Sequence, residues 1–96
     1  MIVHIVMFEF KEKNKAENIA RVKQMLEALV DKIEPLLGME VGVNFSSSER
    51  ALDMVLTSTF ETEEGLMTYG THPAHLEVLA VIKEVVEFSK VVDYVR

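Results

Sequence analysis

Residues 39–45 (Met39-Glu40-Val41-Gly42-Val43-Asn44-Phe45) and residues 53–60 (Asp53-Met54-Val55-Leu56-Thr57-Ser58-Thr59-Phe60) decide the fold. In the first, Met39, Val41, Val43 and Phe45 alternate with Glu40, Gly42 and Asn44. In the second, Met54, Leu56, Ser58 and Phe60 alternate with Val55, Thr57 and Thr59. A period of two is the signature of a strand, and only the polar run Ser46-Ser47-Ser48-Glu49-Arg50 separates the two. Upstream, Ile2 to Phe10 is β-branched and aromatic and reads as another strand, with His4, Val6, Phe8 and Phe10 on one face and Val3, Ile5 and Met7 on the other. Between that strand and residue 39, Ile19, Val22, Met25, Leu26, Leu29, Val30 and Ile33 recur at three- and four-residue steps. They predict an amphipathic helix of about five turns. Asn14 and Glu17 form a loose capping box at its start, and Pro35 and Gly38 end it.

Downstream of residue 60, Thr62 caps a short helix opened by Glu63 and Glu64, Gly70 interrupts it, and Pro73 restarts a helix where its missing N–H costs nothing. That helix reads to about Glu87, with His75, Val78, Leu79, Ile82, Val85 and Val86 on one stripe, and Ser89 to Val95 forms a last strand. The order β-α-β-β-α-β predicts an α+β, ferredoxin-like subunit: a four-stranded antiparallel sheet with the helices on one face.

Helices cover one side of such a sheet. The other side is expected to present Val3, Ile5, Met7, Val55, Val91 and Val95, mixed with Thr57, Thr59 and Asn44. An apolar patch of that size on a small chain marks an interface, so the expected partner is a second copy, paired sheet to sheet.

The 96 residues suit one domain spanning 1–96, and 49% hydrophobic with 27% charged residues is a globular composition rather than a disordered one. Absence of Cys excludes disulfides, zinc–thiolate sites and a thiol nucleophile. Small secreted domains usually depend on disulfides, and Met1-Ile2-Val3-His4 carries no basic leader, so the expected compartment is the cytoplasm. No apolar run approaches the roughly 20 residues of a membrane span. With a formal charge of −6 and scattered basic residues apart from Lys11, Lys13 and Lys15, a nucleic-acid partner is not expected. The third strand also lacks stacking aromatics beside basic residues, as an RNA-recognition module of the same topology would need.

Three polar side chains fall on faces that should be buried: His4 beside Val6 and Phe8, His75 at the head of the last helix, and Tyr69 one turn after Leu66. All three can point into one space between helices and sheet. Imidazole abstracts protons near neutral pH and a phenol polarises a carbonyl, a combination suited to acid–base work on a small organic molecule. With Pro73 at the first helical position, His75 lies in the first turn, where the helix dipole and burial both favour the neutral, basic ring. The competing reading makes the same three residues satisfied core groups. His72 and His75 form a His-x-x-His pair without an evident third ligand, so no metal is expected, and His72 suits the N-cap. The glycines form no phosphate cradle, and no serine sits in a nucleophile elbow.

The first strand His4-Ile5-Val6-Met7-Phe8-Glu9-Phe10-Lys11, the segment Tyr69-Gly70-Thr71-His72-Pro73-Ala74-His75 and the closing Val92-Asp93-Tyr94 resemble the stress-responsive dimeric α/β-barrel (Dabb) family over nearly the whole chain. The Tyr-x-x-His-Pro-x-His segment is the most specific part. The resemblance implies a subunit that pairs sheet to sheet into a barrel. Some plant members are polyketide cyclases that close a poly-β-keto thioester by aldol condensation. There, a histidine base and a substrate-binding tyrosine occupy the positions of His75 and Tyr69. The resemblance thus implies His75 and Tyr69 as catalytic residues, with His4, Val6, Phe8 and His72 lining the substrate pocket and no cofactor required. Val22, Met25 and Leu26 stand where those cyclases carry aromatic residues on the first helix. Two other functions remain alongside a small-molecule cyclase or lyase: a non-catalytic stress or assembly protein, and a monooxygenase of the related barrel class.

Overall fold

The computed structural model describes all 96 residues. Strand β1 (Ile2–Phe10) is followed by helix α1 (Lys15–Glu27) with a 3₁₀ turn over Ala28–Asp31, then by strands β2 (Gly38–Val43) and β3 (Met54–Phe60). Helices α2 (Glu63–Thr71) and α3 (Pro73–Val85) come next, and strand β4 (Val86–Val95) leaves α3 without a loop. All strand pairs are antiparallel in the order β2-β3-β1-β4, the ferredoxin-like arrangement expected from the sequence.

Local chemistry explains the boundaries. The Thr62 hydroxyl accepts from the Gly65 N–H at 3.1 Å and starts α2, and Pro73 occupies the first turn of α3. The long first helix is shorter than its apolar periodicity suggested, because the residues after Glu27 tighten into the 3₁₀ turn. The capping box expected from Asn14 and Glu17 does not form. Asn14 adopts the left-handed conformation (φ 54°) that asparagine tolerates better than most residues, and its side chain leaves the helix end uncapped. A charge cluster secures this corner instead: Lys15 Nζ lies 3.3 Å from Glu9, 3.1 Å from Glu12 and 3.2 Å from Asp53, while Asp53 also accepts from the Phe10 N–H at 2.8 Å.

The core lies between the sheet and the helices. Ile2, Val6, Phe8 and Phe10 of β1, Val41 of β2, and Met54, Leu56 and Phe60 of β3 pack against Val22, Leu26, Leu29 and Ile33 from the α1 region, and against Val78 and Ile82 of α3. The register of β4 corrects one expectation. Val91 pairs with Val6 and Val95 with Ile2, so both belong to the helix side of the sheet. The residues of β4 that join Val3, Ile5 and Met7 on the open side are Phe88, Val92 and Tyr94. Lys90 lies among them, paired with Met7. The physical reason is that β4 is apolar on both of its faces, so alternation alone does not choose its parity, and a bulge between Glu9 and Phe10 resets the pairing at its start. The open side is therefore more apolar than expected. Met7, Phe88, Val92 and Tyr94 are all exposed there.

Candidate functional site

His4, Tyr69 and His75 do meet. β1 carries His4 on the helix side of the sheet, α2 ends just after Tyr69, and the Pro73 restart turns the chain so that the first turn of α3 brings His75 back over Tyr69. The Tyr69 and His75 ring centroids are 4.3 Å apart, and the His4 ring stands edge-on to Tyr69 at 6.3 Å. Phe60 supports the other side of the phenol at 5.2 Å.

His75 Nδ1 lies 3.0 Å from the carbonyl oxygen of Gly70. A carbonyl only accepts, so Nδ1 carries the proton and the neutral ring holds its lone pair on Nε2. Burial pushes the His75 pKa below its ordinary value; the neighbouring His4 and His72 rings push the same way, and the Gly70 hydrogen bond opposes them. The group is thus a neutral imidazole at physiological pH, as a general base must be.

Tyr69 is 2% exposed, and burial pushes its phenol up to about 12. Its hydroxyl makes no hydrogen bond to the protein, yet no buried side-chain oxygen or nitrogen lacks a partner. The small exposed remainder of Tyr69 therefore includes its hydroxyl, an O–H available to a hydrogen-bond acceptor from outside the chain.

His4 has a partner that sequence reading missed. Its Nδ1 makes a close hydrogen bond with a carboxylate oxygen of Asp93, the residue paired with it across β1 and β4. A carboxylate on Nδ1 orients an imidazole and leaves Nε2 as the free nitrogen. The buried Ser58, opposite His4 on β3, donates its hydroxyl hydrogen to the His4 carbonyl at 3.3 Å and fixes the strand beneath the ring. Cross-strand pairing of the one histidine of β1 with an acidic residue of β4 was the available signal for Asp93, but the wrong parity for β4 placed that residue on the opposite face.

The remaining candidates are placed differently. His72 is the N-cap of α3, its Nδ1 accepting from the Ala74 N–H at 3.0 Å, which commits that nitrogen to the helix end. Val6 and Phe8 are buried in the core cluster, Phe8 beside Phe10. No group of three or more His, Asp or Glu side chains converges into a metal-ligand set. The two principal cavities lie elsewhere. One, of about 220 Å³, runs between α1 and α3 past Met25, Ala74 and Val78, next to the turn that carries His75. The other, of about 650 Å³, is on the open side of the sheet. No helix is long and apolar enough to cross a membrane.

The family model for the stress-responsive A/B barrel domain matches residues 2–96. A curated relative from Arabidopsis thaliana, the stress-response A/B barrel domain-containing protein HS1, is 27% identical over 95 residues, covering 97% of this chain and 87% of that protein. A dimeric protein of unknown function and ferredoxin-like fold from Bacteroides fragilis superimposes with a TM-score of 0.89 at 30% identity, over 97% of this chain and 93% of its own. A hydroxynitrile lyase from Passiflora edulis shares the fold, with a TM-score of 0.88 at 18% identity, over 99% of this chain and 92% of its own.

Proposed function

This chain belongs to the stress-responsive A/B barrel domain family, and within it we propose a protein that binds a small carbonyl compound between helices and sheet, with His75 and Tyr69 performing proton transfer on it. The observation that carries the proposal is the pairing of two complementary, unspent groups: the His75 Nε2 lone pair and the Tyr69 O–H, on rings 4.3 Å apart. The hydroxyl donates to the substrate carbonyl oxygen, and Nε2 takes a proton from the adjacent carbon. The resulting enolate is stabilised at its oxygen by the same hydroxyl. In a substrate with a second carbonyl, the enolate carbon attacks that carbonyl to form the new C–C bond, and the imidazolium returns its proton to the alkoxide. His4, held by Asp93, orients the substrate. This is the cyclase-like lyase reading. Dimers of this fold are among the solved structures similar to this chain, and the proposal includes a dimer closed through the open sheet side and acting in the cytoplasm.

The packing favours a second reading in which the same residues serve only the core. Tyr69 is almost wholly enclosed, Val6 and Phe8 are buried, and neither principal cavity is lined by His4, Tyr69 or His75. Proton exchange separates the two. Deuterium uptake at the α-carbons of 2-heptanone in D₂O, followed by ¹H NMR, is expected to exceed the buffer rate with the wild type. It is expected to return to the buffer rate in His75→Ala and to fall about 100-fold in Tyr69→Phe, within the range that a positioned acid or base contributes. Wild-type protein no faster than buffer overturns the catalytic reading.

A further inference from the structure

The groove between α1 and α3 belongs to the helix layer, on the side of the sheet away from the open face, so a second copy seated on that face leaves it uncovered. Helical spacing builds its walls. Met25, Ala28 and Leu29 share one stripe of α1 and its 3₁₀ turn, and Ala74 and Val78 stand one turn apart on α3. Each wall carries an alanine, and two short side chains leave a gap between the helices. Its volume of about 220 Å³ is below the roughly 300–1,000 Å³ of drug-sized sites, so it admits a molecule of only a few carbons.

The floor and the rim differ in chemistry. Leu29 and Val78, both buried, form an apolar floor. At the rim stand the exposed side chains of Gln24 and Lys32 from the α1 wall and Glu77 from the α3 wall. Lys32 and Glu77 line the same groove with opposite charges, yet they do not pair with each other or with any other group, since the ion pairs of the protein involve His4, Lys15 and Lys23.

An apolar floor accepts only an apolar end, because a polar group buried there would lose its hydrogen bonds to water. A head group of one sign would satisfy one rim charge and meet the other unfavourably, whereas a zwitterion matches both. We propose that this groove binds a small apolar α-amino acid, its side chain on Leu29 and Val78, its carboxylate facing Lys32 and the Gln24 amide, and its ammonium facing Glu77. The site is independent of the proton-transfer reading.

Titration of the ¹⁵N-labelled protein with L-leucine, followed in ¹H–¹⁵N correlation spectra, tests the assignment. The expected result is saturable shifts centred on the amides of Ala28, Leu29, Ala74 and Val78. Affinity should fall about fivefold in Lys32→Met and in Glu77→Gln, the upper end of what an exposed ion pair contributes. Ala28→Leu, which keeps both charges and fills the gap, should lose binding. 4-Methylpentanoate, which lacks the ammonium, should bind Glu77→Gln at least as well as the wild type, and 3-methylbutylamine, which lacks the carboxylate, should bind Lys32→Met at least as well. No saturable shift in the wild type, shifts centred outside the groove, or equal leucine affinity in the wild type and both charge variants would each overturn it.

Discussion

Replacing Tyr69 by Phe separates a hydroxyl kept for a ligand from one that holds the core. The ring is buried against Phe60, His75 and His4, so truncation to Ala should cost about 3–5 kcal/mol, as for other large buried aromatics. Phe preserves those contacts and removes only the O–H, which has no protein partner to leave unpaired. Its cost near neutral pH should therefore stay within about 0.5 kcal/mol. A hydroxyl that bonded a buried group would instead cost about 1–3 kcal/mol when removed. Alkaline pH supplies a second arm. The folded phenol titrates near 12 against 10.0 when unfolded. Between those values the unfolded chain has given up its proton while the folded chain keeps it, so wild-type stability falls as pH rises. At pH 11 the loss is about 1.4 kcal/mol, one pKa unit's worth. The Phe variant lacks this term and should be the more stable protein there. Urea unfolding followed by far-ultraviolet circular dichroism, at fixed protein concentration because a dimer's stability depends on it, reads both arms at pH 7.5 and pH 11. A neutral-pH loss above about 1 kcal/mol, beyond the range of an unpartnered group, refutes the unspent hydroxyl. An unchanged ranking at pH 11 refutes the burial argument.

Two further outcomes follow from the register and from His75. Val92 pairs with Ile5 on the open side and Val91 with Val6 on the helix side, so Val92→Lys should yield a monomer by size exclusion while Val91→Lys stays dimeric; the reverse pattern contradicts pairing through the open face. Burial lowers the His75 pKa on folding, so its contribution to stability is complete above the unfolded value, about 6.5, and is lost as pH falls towards the folded value. His75→Gln should lose less stability than the wild type between pH 7.5 and pH 5 in urea unfolding, and equal losses would contradict a buried neutral ring.

The element order was legible because each segment repeats one period: two in β2 and β3, three to four in α1 and α3. The site was legible where a local signal existed. Pro73 set the helix start that places His75 in the first turn, and Thr62 and His72 cap the helices as their residue types suggest. What escaped was long-range. Asp93 joins His4 only through the pairing of residues 89 apart in sequence, and β4 presents apolar side chains on both faces, so its parity gave no guide. The end of α1 escaped too, because a 3₁₀ turn can keep an apolar residue facing the core while changing the helix type. The cavity on the open side escaped because Ser46 to Arg50 read simply as a polar connection and residues 44 and 45 as more of a strand that in fact stops at Val43.

The chemistry proposed for the site requires His75 to be a neutral base with its lone pair on Nε2. Long-range ¹H–¹⁵N correlation spectra of the imidazoles, recorded across a pH titration and assigned with His75→Gln, test it most directly. The expected result is a His75 ring protonated on Nδ1 alone at pH 7.5, titrating below the ordinary histidine range. A ring protonated on Nε2 at that pH, or one still doubly protonated near neutrality, would contradict it.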